Sequence, residues 1–343
     1  MSHPEHPQHT PEFSRADYVG HLVRLDIPGT LAYLESVGET GMAEALRQKL
    51  HAPAPFATGD AFLDAVLNAY QSYFKDCFAP TTQPLEAAEQ AARAALTERL
   101  GALLDQPGAE LDDLEKTIKT KVEAGGWHFL GGTTQGYYGP YLWETTTRTD
   151  YDVEIPSGTE TVTVFWMDGF LMRSWLDWLS AGEVGAGGWA KPEGLYCVRK
   201  AYAGTLDTPS FQISFLKHEA QHHADFRLGE LEPWLLEYRA KLVELIYTPD
   251  SSFLASLLAS ADASSKANSH AYAAAKIVAD LSAYLEAQGV SDGRAKLEAA
   301  AQDARVWGEL EEGVRRGSRE ILAKNNFVKR NRIKSALSKF NLN

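Results

Sequence analysis

At 343 residues, 44% of them hydrophobic and 10% aromatic, the chain can bury a large core, in two or three subdomains rather than one. Its formal charge of −13 argues against broad nucleic-acid binding and against adhesion to an anionic membrane. The two cysteines, Cys77 and Cys197, supply neither a disulfide framework nor a CxxC metal knuckle.

The opening "MSHPEHPQHTPEFSRADY" is polar and rich in His and Pro, and no apolar stretch in it reaches signal-peptide length. Residues 1–16 are expected to be disordered. No run approaches the length of a membrane span, so a cytoplasmic location is expected. Residues 17–125 read as a helical N-terminal region through "GTLAYLESVG", "DAFLDAVLNAYQSYFKDCF" and "PLEAAEQAARAALTERLGALL", where Ala, Leu and Glu dominate.

Composition changes at residue 126, where Gly, Thr, Tyr and Val replace Ala and Leu. "YLWETTTRTDYDVEI" and "ETVTVFWM" read as strands separated by the turn "PSG". "FLMRSWLDWLSAG" reads as a short helix closed by Gly182, "GAGGWAKPEG" as a loop and "LYCVRKAYA" as a further strand. Residues 126–250 then form a core of sheet and two helices, and 251–343 a helical C-terminal region. The fold class expected is α+β, mostly helical. The tail carries Lys324, Lys329, Arg330, Arg332, Lys334 and Lys339 without an acid between them, a solvated basic helix with room for an acidic partner.

The chemistry concentrates in "SFLKHEAQHHADF", Ser214 to Phe226. Thr208-Pro209 suits a helix start and Gly229 a stop. Between them His218 and His222 are four apart and project from one helical face, so two imidazoles can reach one ion. Glu219 lies between them, placed to act as general base on an activated water. "HEAQH" is the HExxH zinc signature, and the ion expected is Zn2+. Asp225, three residues past His222, is expected to accept the outer ring N–H of a ligating histidine. His223 points about a quarter-turn away and reads as an ordinary residue.

A catalytic zinc needs a third protein ligand. "PWLLEYRAKLVELIY", Pro233 to Tyr247, reads as a second helix beginning at a proline and offers two acids. Glu237 starts "EYRA", in which the small residue permits close packing on the histidine helix, and is the preferred ligand. Glu244, seven residues on, is the alternative.

"HEAQH" followed by fourteen residues and "EYRA" resembles the gluzincins, the two-His-one-Glu zinc metallopeptidases that include thermolysin and the zinc aminopeptidases. The longer run through "LEYRAKLVELIY" also resembles an uncharacterised set of bacterial proteins. The resemblance covers about residues 195–247 and implies a zincin-like core holding zinc through His218, His222 and Glu237, with Glu219 as general base and a peptide or protein as substrate. It also implies a His or Tyr downstream that stabilises the transition state, for which "NSHAYAAAK" offers His270 and Tyr272. Zincin substrates lie along a sheet edge, here "LYCVRKAYA" or the strand around Thr145. The same ligands would serve a zinc hydrolase of a non-peptide amide. A metal-containing binding or scaffold protein is the reading from another class, and Glu219 speaks against it because a structural site needs no base.

Overall fold

The computed structural model describes residues 12–79 and 83–340, with side chains through 325. It is α+β and mainly helical, and it divides into two compact units: residues 1–145 with 168–186, and residues 146–167 with 187–343. Among the described residues no helix is long and apolar enough to cross a membrane.

The first unit starts with helices α1 (Arg15–Val23), α2 (Ile27–Ser36), α3 (Thr40–His51), α4 (Ala61–Phe78), α5 (Leu85–Leu103) and α6 (Leu111–Ala124). α4 starts where Asp60 accepts from the backbone N–H groups of Phe62 and Leu63, satisfying donors the first turn would otherwise leave bare. Its Leu67, Tyr70 and Phe74 are fully buried with Leu96, Leu114 and Trp175. Each such side chain contributes about 1.5–3 kcal/mol by leaving water.

Three short strands follow: β1 (His128–Leu130), β2 (Thr133–Thr134) and β3 (Tyr137–Tyr138). β2 and β3 form a hairpin whose turn residues, Gln135 and Gly136, both have positive φ (53° and 86°), which fits the twist of the flanking strands. Tyr70 Oη and the Gly132 N–H both donate to the buried Glu115, whose pKa burial pushes up.

β4 (Tyr141–Ile155) and β5 (Gly158–Arg173) are long enough to belong to both units. The paired strands and their turn at Pro156-Ser157 are as expected. "FLMR", however, continues β5, and helix α7 spans only Ser174–Leu179. Pairing explains the difference: β4 lies alongside β5 in the sheet, and β5 runs on past the exposed Asp168 and Gly169 to the buried Met172.

The second unit completes the sheet with β6 (Gly188–Lys191) and β7 (Gly194–Val198), in the order β1-β4-β5-β7-β6. "GWAK" is therefore a strand rather than a loop, paired antiparallel with β7 across Trp189↔Tyr196. β7 runs parallel to β5 and is flanked on both sides, so it offers no edge, and "LYCVRKAYA" leaves the sheet at Val198 for a 3-10 turn, Arg199–Tyr202. The edge strand beyond β7 is β6.

Helices then follow: α8 (Pro209–Phe211), a π-helical turn (Gln212–Lys217), α9 (His218–Phe226), α10 (Pro233–Tyr247), α11 (Ser252–Ser260), α12 (Ser269–Ala287), α13 (Gly293–Gln302) and α14 (Ala304–Phe340). Asp303, extended at φ −129° and ψ 114°, separates α13 from α14 and accepts from the N–H of Arg305 at 2.8 Å. α12 and α14 pack on α10, and their Ile277, Leu281 and Val314 share one core with Leu242 and Leu245 of α10 and Val164 of β5. The C-terminal helices thus belong with the histidine helix, and the boundaries read at 126 and 250 do not coincide with the compact units, because core sharing rather than composition joins the elements. At the N-terminus, helix already begins at Arg15, within the stretch expected to be disordered, and residues 1–11 lie outside the described part. The basic tail lies on α14, with the side chains of its residues beyond 325 outside the described part.

Candidate metal centre

The helix carrying the histidines begins as expected, with Thr208 extended and Pro209 in the first helical position. The π turn that follows widens the helix by one residue immediately before His218, a feature common where a helix must aim side chains at a site. Phe211 and Phe215 are both buried and stacked, 5.5 Å between centroids. Gly188 of β6 makes room for Phe215. A Cβ there would come within 2.4 Å of the Phe215 ring and 2.3 Å of the Tyr196 carbonyl oxygen, so no larger residue fits without displacing backbone.

α9 and α10 pack together and bring four side chains into one cluster. The Nε2 atoms of His218 and His222 are 3.1 Å apart. The Glu237 carboxylate faces both, with Oε2 3.6 Å from His218 Nε2 and Oε1 3.5 Å from His222 Nε2. One ligand atom from each of these three residues falls within 4.8 Å of the others. Glu244 approaches from the other side of the His218 ring, Oε1 2.6 Å from Nδ1. Glu237 and Glu244, seven residues apart on α10, therefore reach the two opposite nitrogens of one imidazole.

Asp225 does not take the role expected of it. Its carboxylate accepts from Arg239 Nε at 2.6 Å, Arg239 Nη2 at 2.8 Å and Gln221 Nε2 at 2.7 Å, a buried ion pair that fastens α9 to α10. The carboxylate at the outer nitrogen of His218 is that of Glu244 instead. A buried acid inside the apolar run "LVELIY" was the available signal for that, since an unpaired carboxylate there would be too costly to bury. His223 keeps to the ordinary role read for it: Nδ1 meets Glu160 at 2.7 Å and Nε2 faces the Pro192 carbonyl at 3.2 Å. Arg227 donates to both oxygens of Glu160, at 2.6 Å each. Together these contacts tie α9 to β5 and to the β6–β7 turn.

Electrostatics in the cluster follow from the number of acids. Burial pushes the His218 pKa down, but the carboxylates of Glu244, Glu219 and Glu237 outweigh it and the net shift is upward. Burial likewise pushes Glu237 up, and the surrounding His222, His270 and His218 overcome it, holding the carboxyl far below the usual range. Glu237 is thus ionised in this setting.

Glu219 lies half-buried on the turn between the two histidines, and among the described residues it has no hydrogen-bond or ion-pair partner. Its charge is felt by His218, Cys197 and Tyr202. His270, near the start of α12, sets Nδ1 2.9 Å from Glu237 Oε2 with a ring that is 65% exposed, so it stands between the carboxylate and solvent. Tyr272 is placed differently: its ring packs edge-on against Trp234, 5.3 Å between centroids. α12 is held against α10 by Tyr238, whose Oη donates to Asp280 at 2.6 Å.

A metal ion fits these residues. The donor set is two imidazoles and one carboxylate, all suited to zinc. Glu237 Oε2 is buried, and its close contact beyond the two ligand imidazoles is the largely exposed His270 at 2.9 Å, so a cation would satisfy it. In the neutral form of His218, an Nδ1–H donated to Glu244 leaves the Nε2 lone pair turned towards His222 and Glu237, the tautomer a ligand needs.

A scan against family models finds no match, and neither do comparisons with curated proteins and with solved structures.

Proposed function

We propose that this chain is a zinc-dependent metallopeptidase of gluzincin type, with His218, His222 and Glu237 as ligands. The observation that carries the proposal is the meeting of three donors on two helices beside an acid, Glu219, that has no structural partner among the described residues. An acid kept half-buried and unpaired next to a metal-ligand triad is suited to moving protons.

Zinc, when bound, supplies a Lewis acid that polarises the scissile carbonyl and lowers the pKa of a coordinated water towards neutrality. Glu219 takes the proton of the attacking water and delivers it to the leaving nitrogen, so one carboxylate serves as base and then as acid. Glu244 holds His218 by Nδ1 and keeps its ring in place. His270, at the solvent side of Glu237, is the residue we assign to donate a hydrogen bond to the developing oxyanion. β6 is the strand edge nearest α9 and is the place for an extended peptide to add.

The test is metal content together with cleavage of a mixed peptide library by the metal-loaded protein. Zinc with peptide products supports the proposal. Zinc-loaded protein that leaves every peptide intact removes the peptidase.

A further inference from the structure

One helical turn before Glu237 on α10, Trp234 forms a corner with Tyr272 of α12, which itself lies two residues past His270. The two rings meet edge to face, 5.3 Å between centroids and 75° between planes. Into this corner reaches Lys266, from the segment between α11 and α12. Its Nζ lies 5.1 Å from the centre of the Trp234 ring and 5.8 Å from that of Tyr272. Glu232, which also accepts from Trp234 Nε1, brings Oε2 to 3.4 Å from the same Nζ. Two aromatic faces and a carboxylate converge on one ammonium group.

The Lys266 and Glu232 side chains are 55% and 62% exposed, so water competes with their pairing and Lys266 can leave at little cost. The rings cannot leave as readily, because Trp234 also packs on Tyr238, whose Oη is bonded to Asp280. The corner is fixed and its present cation is replaceable.

We propose that this corner is a subsite for a primary ammonium group of a peptide bound at the metal centre, and that Lys266 occupies it when no such peptide is present. The proposal rests on the peptidase reading above. Aromatic faces attract a cation through their quadrupoles and offer nothing comparable to a neutral or anionic group, and the −13 charge of the chain favours approach of cationic peptides. A peptide brings a primary ammonium group either as its free amino terminus or as a lysine side chain.

The test uses the full-length Glu219→Gln protein loaded with zinc, which holds a peptide without turning it over, and calorimetric titration with defined hexapeptides of alanine and leucine. One set is acetylated and carries lysine or norleucine at each position in turn; another is the norleucine set with a free amino terminus. The ammonium peptides are expected to bind about threefold to tenfold more tightly than their acetylated norleucine counterparts. Which set shows the gain identifies the source of the ammonium. Lys266→Met should tighten binding of the ammonium peptide and leave the acetylated norleucine peptide unchanged. Trp234→Leu should erase the preference, and Tyr272→Leu, on a different helix, gives the same reading should the first variant not fold. Equal affinity across both sets, or a preference that survives both ring substitutions, overturns the subsite. Wild-type protein that binds zinc and cleaves the peptides without preference leaves the peptidase standing and removes the subsite alone. A protein that holds no zinc and neither binds nor cleaves any of the peptides removes both.

Discussion

Glu244 Oε1 sits 2.6 Å from His218 Nδ1, on the side of the ring away from Glu237. Two acids seven residues apart on α10 thereby divide the two sides of one ring: Glu237 faces the Nε2 atoms of both histidines, and Glu244 meets Nδ1 of His218. Removing such an outer partner weakens metal binding without abolishing it. Glu244→Ala should lower zinc affinity about tenfold to a hundredfold, measured by competition with a chelator. Unchanged affinity would show that His218 needs no help from Glu244.

Glu219 has no hydrogen-bond or ion-pair partner among the described residues, so Glu219→Gln should preserve metal content and thermal stability. An amide cannot accept a proton at neutral pH, and peptide hydrolysis should fall by about a hundredfold or more. A variant that cleaves a library peptide at the wild-type rate would exclude Glu219 as the base.

The Asp225–Arg239 pair is almost wholly buried, with side chains 1% and 3% exposed. Asp225→Ala takes the carboxylate away from a buried guanidinium and should cost about 3–5 kcal/mol in urea unfolding. Because the same pair holds α9 to α10, zinc affinity should fall with it. A loss below about 1 kcal/mol would mean that water reaches Arg239 and screens it.

Glu160 introduces a pH dependence. Arg227, bonded to both of its oxygens, and then His223 hold its pKa below the usual 4.5. A carboxyl lowered by folding adds stability above its unfolded pKa and loses it as the pH falls through the folded value. Glu160→Gln should therefore unfold at lower urea than wild type at pH 7, and the gap should close as both are titrated to about pH 3. A gap independent of pH would assign the effect to packing.

Much of the second unit was legible because local rules and tertiary needs agree there. Pro209 and Pro233 open helices where a proline costs no hydrogen bond, and the i, i+4 spacing of His218 and His222 puts both on one face. The errors fall where a residue's partner comes from another element. Asp225 stands at the right spacing from His222, yet Arg239 on α10 claims it, and nothing local to α9 announces that arrival. Gly188-Trp189-Ala190-Lys191 looks like a loop through its flanking glycines and becomes a strand because β7 lies alongside. Lys266 in its aromatic corner joins a loop to two helices and has no local signature. Helix starts and faces are properties of a segment, whereas second partners belong to the packing.

His218, His222 and Glu237 are proposed to hold one zinc ion. Elemental analysis after zinc loading and exhaustive dialysis, on wild type, His222→Ala and Glu237→Ala, tests it most directly. The expected result is about one zinc per wild-type chain and a large loss in both variants, with circular dichroism confirming that each remains folded. Full zinc occupancy retained in folded His222→Ala and Glu237→Ala would contradict it.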